Sequence, residues 1–148
     1  MEPLGISLFS DDIRFEQQNK ITFIGCYGPE ILITGDLPFV LPKLGIFVQL
    51  RLPPGECLPS KVLVYYPDSQ ESEPAVTVDI SAPSAVDVEK SKRTSPSSDV
   101  MLLATNVPIL LSPVILNTEG LIKIRVKCGE KIIKAGTLKV TRVNPQTT

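Results

Sequence analysis

The sequence contains neither histidine nor tryptophan. The first absence removes every mechanism that uses imidazole as general base or metal ligand, including the Ser-His-Asp and Cys-His arrangements and His-containing zinc sites. Aromatic residues make up only 5% of the chain, and none follows Tyr66. Nucleic-acid platforms usually interleave stacking aromatics with cations, so the C-terminal half offers little for that role. No C-x-x-C pair preorganises a zinc site, no Gly-Lys-Ser/Thr closes a phosphate loop, and no apolar run is long enough to span a bilayer. The stretch MEPLGISLFSDD lacks the basic and apolar regions of a secretory signal. No cofactor, metal or membrane is expected, and the chain reads as a cytoplasmic protein that is not an enzyme.

Charge of one sign is also lacking. Fifteen Lys plus Arg against sixteen Asp plus Glu give a net charge of -1, so no bulk field marks a nucleic-acid or membrane-surface protein. The distribution is uneven, however: residues 1–74 carry five basic and ten acidic side chains, residues 75–148 ten and six. The three cysteines, Cys26, Cys57 and Cys128, are odd in number and widely spaced, which fits thiols in a reducing compartment. Cys26 and Cys128 lie in apolar strand-like runs and read as small buried hydrophobes.

What the chain has is 43% hydrophobic residues, divided by 14 prolines and 9 glycines into short segments rich in Val, Ile, Leu and Thr. That is the pattern of short strands, and prolines interrupt any helical periodicity. Residues 21–27 and 31–34 flank Gly28-Pro29 and read as a hairpin, whereas 37–44, with two prolines, reads as a loop or a single helical turn. In 46–52 the apolar Ile46, Val48, Leu50 and Leu52 alternate with Phe47, Gln49 and Arg51, as one buried face requires. Further strands are expected at 62–66, apolar on both faces, and at 76–80, 101–105, 109–116, 122–128, 131–135 and 137–143, the last two separated at Gly136. Residues 81–99 are rich in Ser, Pro and Lys, and a mobile loop is expected at 83–98. One domain over 1–148 follows, all-β with little helix: a two-sheet β-sandwich, immunoglobulin-like or related, of about eight or nine short strands.

The candidate binding residues are Lys123, Arg125 and Lys127. They share one face of 122–128, opposite Ile122, Ile124, Val126 and Cys128, and Lys131, Lys134, Lys139 and Arg142 follow on the return. Such a face could track phosphates, or it could be a solvated strand face whose lysines discourage edge pairing. With Glu119 and Glu130 close by to neutralise it and no aromatic nearby in sequence, the solvated face is the better reading. Asp11, Asp12, Glu16 and Asp36 could gather around calcium. As turn and capping groups with Arg14 and Lys20 for partners they need no ion, and that reading is preferred.

The strings SDDIRFEQQNKITFIGCYGPEI, LPKLGIFVQLRLP and EGLIKIRVKCGEKIIKAGTLKV together resemble a group of small uncharacterised bacterial and phage β-sandwich proteins. The resemblance covers 10–53 and 120–140 and rests on glycines and apolar alternation. It implies a bacterial or phage origin and a compact β-sandwich, with no site residues to carry over. The closing strand pair also resembles the last hairpin of immunoglobulin-like domains, although their paired cysteines and core tryptophan are absent. The function expected is a binding or regulatory module presenting the polar loops 67–74 and 81–99 to a protein partner. The alternative is a phage virion or assembly component that forms homo-oligomers. A weak nucleic-acid binder acting through the basic strand face ranks third, nucleic acid being disfavoured as a partner.

Overall fold

A computed structural model describes residues 3–53, 59–80 and 103–143. The loop expected at 83–98 and Cys57 lie outside the described residues.

The described residues form eleven strands and no α-helix. In chain order they are β1 (Leu4–Phe15), β2 (Ile21–Cys26), β3 (Glu30–Thr34), β4 (Phe39–Leu41), β5 (Leu44–Leu52), β6 (Pro59–Tyr65), β7 (Val76–Asp79), β8 (Leu103–Leu111), β9 (Val114–Leu116), β10 (Gly120–Cys128) and β11 (Lys131–Val143), with a single 3-10 turn at Gln17–Asn19. Three sheets result rather than two. The order is β2-β1-β5-β8 in the first, β3-β11-β10-β6-β7 in the second and β4-β9 in the third.

One apolar core draws on all three sheets. β5 supplies Leu44, Ile46, Val48, Leu50 and Leu52, β10 supplies Ile122, Ile124, Val126 and Cys128, and the small sheet supplies Leu41, Val114 and Leu116. Alternation in β5 and β10 follows the sequence pattern because each strand has one face in this core. Burying a Val, Leu or Ile side chain fully contributes about 1.5–3 kcal/mol of transfer free energy.

Where the sheets approach, at β1 and β11, the residues are small. A Cβ on Gly5 would stand 2.9 Å from the Cβ of Ala135, and one on Gly136 3.0 Å from the Cβ of Ser7. Ser7 Oγ donates a hydrogen bond of 2.6 Å to the carbonyl of Ala135. Gly136 has φ +140, a conformation suited to glycine. It sits where the β10–β11 register shifts, between Ile124 and Arg125. Residues 131–143 are therefore one strand with a bulge rather than two strands separated at Gly136.

Three further expectations are corrected. Residues 21–27 and 31–34 are not a hairpin: β2 pairs with β1, whereas β3 pairs in parallel with β11 in another sheet. Residues 37–44 contain β4 rather than a loop or helical turn, because Phe39 to Leu41 find partners in β9. Pro108 and Pro113, expected to mark edges, bulges or a break between sheets, do so: Pro108 lies within β8, opposite Phe47, and Pro113 falls between β8 and β9 of different sheets. β8 is at the edge of its sheet, where a missing N–H is tolerated. Cys128 is buried as expected, but Cys26 is exposed, at the end of an edge strand.

Candidate functional site

β10 lies between β6 and β11, and its alternation turns Leu121, Lys123, Arg125 and Lys127 away from the core. Antiparallel register fixes their neighbours on that outer face. Lys123 stands opposite Tyr65 on β6 and Thr137 on β11, Arg125 opposite Leu63 and Lys134, and Lys127 opposite Lys61 and Ile132. Directly opposed residues share a face. Cations that are spread along the sequence thus meet on a single surface.

At the β6 end of this face the chain turns off at Tyr66 and Pro67, and residues 67–74 fold back as a wall. The wall is held at several points. Ser69 Oγ accepts the Tyr66 N–H at 3.0 Å, Ser69 N–H donates to the Tyr66 carbonyl at 3.0 Å, and Glu73 N–H donates to the Gln70 carbonyl at 3.0 Å. Asn117 Nδ2 donates to Asp68 at 2.9 Å, and Pro67 lies against Gly120, where an added Cβ would be 3.0 Å away. Between wall and sheet is a cleft of about 450 Å³ lined by Tyr65, Tyr66, Pro67, Ser69, Glu71, Leu121, Lys123, Arg125 and Ile132. Its size lies within the range of ordinary ligand sites.

Lys123 and Arg125 therefore line a cleft, half-buried, while Lys127 is exposed beyond it. Arg125 Nη1 donates to the carbonyl of Ile124 at 3.0 Å, which turns the guanidinium along the strand. Among the described residues neither cation forms an ion pair. Among the described residues Glu119 forms no ion pair with Lys123, Arg125 or Lys127: it accepts the Arg142 backbone N–H at 2.6 Å, and the Arg142 guanidinium pairs with Asp36 at 2.9 Å. Burial pushes the Tyr66 hydroxyl above its ordinary pKa, which keeps it a neutral donor.

The two tyrosines are the site residues that sequence reasoning missed, having been counted into an apolar central strand. Adjacent tyrosines before a proline combine apolar rings with polar tips, a signal of a partly exposed strand end.

The N-terminal carboxylates do not gather. Asp11 accepts a hydrogen bond from Tyr27, Asp12 pairs with Lys43 at 3.1 Å, and Asp36 with Arg142. The Lys43 ammonium holds the Asp12 carboxyl below its usual pKa. Their hydrogen-bond and ion-pair partners are Tyr27, Lys43 and Arg142, with Arg14 adding a weaker charge interaction at Asp12, and no group of three or more His, Cys, Asp or Glu suited to a metal occurs among the described residues. No helix among them is long and apolar enough to cross a membrane. Comparison of the chain with protein-family models, curated proteins and solved structures gives no match.

Proposed function

We propose that this protein is a non-enzymatic binding module of bacterial or phage origin, a β-sandwich that engages a protein partner through the cleft between residues 67–74 and the outer face of β10. The observation that carries this reading is the meeting of Tyr65 and Tyr66 with Lys123 and Arg125 in one cleft. Tyr and Arg are enriched in the energetically dominant parts of protein interfaces, and the anchored wall lowers the ordering cost of binding. The lack of histidine removes imidazole-dependent hydrolysis from consideration there. Selection from a random displayed peptide library tests it. Peptides should be enriched on the wild type and lost on a Tyr66→Ala, Leu121→Ser variant that melts at the same temperature. No enrichment, or equal enrichment on both, refutes the reading.

A second reading, a virion or assembly component, is favoured by a different surface. Leu4, Ile6 and Leu8 on β1 and Leu110 on β8 are 51%, 51%, 42% and 43% exposed, and the register through Phe47 places Leu8 and Leu110 on one face of the four-stranded sheet. Contiguous exposed apolar surface marks interaction sites. Light scattering across a concentration series separates the readings: growing assemblies that Ile6→Thr abolishes favour the second, a constant mass the first.

A further inference from the structure

We infer that the cleft takes an extended, acidic segment of the partner protein, with its carboxylates on Lys123 and Arg125 and an apolar side chain turned from the sheet toward Tyr66 and Pro67. This rests on the cleft being the partner site, and three observations narrow the occupant.

Charge comes first. Lys123 and Arg125 form no ion pair among the described residues, while Lys61, Lys127 and Lys134 stand beside them in register on the same face. An occupant carrying negative charge relieves this like-charge crowding. Hydrogen bonds between charged groups are also roughly twice as strong as neutral ones.

Spacing comes second. The two cations are two residues apart on one strand face, hence roughly 6.6 Å along the strand. An extended peptide with acids at alternate positions repeats at the same interval, so two successive carboxylates meet two successive cations. The residue on the other side of such a chain faces away from them.

Third, the composition of the cleft favours peptide over nucleic acid. Tyr65 and Tyr66 stand at one end only, and no aromatic residue is opposite Arg125 or Lys127 in register, so successive bases would have no stacking platform along the cations. Leu121 and Ile132, 41% and 53% exposed, offer aliphatic surface instead. Glu71 on the wall opposes any anion placed beside it, but unlike the cations it can accept a peptide N–H.

Fluorescence anisotropy with three labelled probes tests the proposal: the peptide Gly-Glu-Leu-Glu-Phe-Glu-Gly, its analogue with Gln in place of Glu, and oligo-dT. The acidic peptide should bind about tenfold or more tightly than the Gln analogue, since each charge-assisted bond is worth about that much. Its affinity should fall with added salt and fall again about tenfold in K123Q/R125Q, but not in K20Q, which changes charge in the connection between β1 and β2. Equal binding of the Gln peptide overturns the acidic occupant while leaving the cleft a protein site. Tighter binding of oligo-dT, displacing the peptide, overturns it in favour of nucleic acid. If neither peptide binds, the partner-site reading fails with it.

Discussion

Tyr27 shows how a single side chain can tie local chemistry to the pH range of the whole fold. Burial first, then its hydrogen bond to the Asp11 carboxylate and that group's charge, push the Tyr27 hydroxyl up to about 12. The fold thus favours the neutral phenol. The stabilisation is fully present below the ordinary tyrosine value near 10 and is lost as pH rises through about 12. Denaturant melts between those two pH values should show the wild type losing stability more steeply than Tyr27→Phe. An ultraviolet titration should lose a phenol ionising near pH 12 on Tyr27→Phe substitution. Parallel pH profiles for the two proteins would show that Tyr27 does not feel Asp11 in solution.

At the scale of the strand, β10 has two faces with separate duties, and neighbouring substitutions read them apart. Ile124 is 0% exposed, so Ile124→Ala should cost about 2–5 kcal/mol through lost transfer energy and the cavity left behind. Arg125→Ala, on the cleft side, should change stability by no more than about 0.5 kcal/mol, because partly exposed surface positions contribute little. Chemical denaturation of both variants checks this, and similar losses would mean the faces are wrongly assigned. Strands such as β5 and β10 were legible because an apolar face alternates with a polar one. β1 was not, because its alternation is reversed. Its core side holds Gly5 and Ser7, kept small by the approach of β11, while Leu4, Ile6 and Leu8 face outward. The site was half legible for a similar reason. Lys123 and Arg125 stand out in the pattern of one strand, but Tyr65 joins them only through cross-strand register, which depends on partners distant in sequence.

For the molecule as a whole, a single core built from all three sheets implies that no sheet can melt alone. Cys128, 1% exposed within that core, reports on it directly. In a C26S/C57S background, labelling of Cys128 by a thiol reagent should begin at the denaturant concentration where far-ultraviolet dichroism is lost. Labelling well before that point would mean that the β6-β10-β11 region opens independently. The balanced total charge conceals this molecule's division into a basic, cleft-bearing sheet surface and an apolar one. Bulk electrophoretic behaviour will therefore say little about which surface meets a partner.

The contact between β1 and β11 also sets a timetable for synthesis. Ser7 and Ala135, hydrogen-bonded across 128 positions of sequence, belong to the first and the last of the described strands to leave the ribosome. β1 can pair with β2 and β5 early, but its Gly5 and Ser7 side has no cover until β11 arrives. Chain closure over such a distance slows folding and leaves the unfinished domain with an open seam and exposed strand edges. The nascent chain is consequently most dependent on chaperones in the interval between translation of β5 and release of β11.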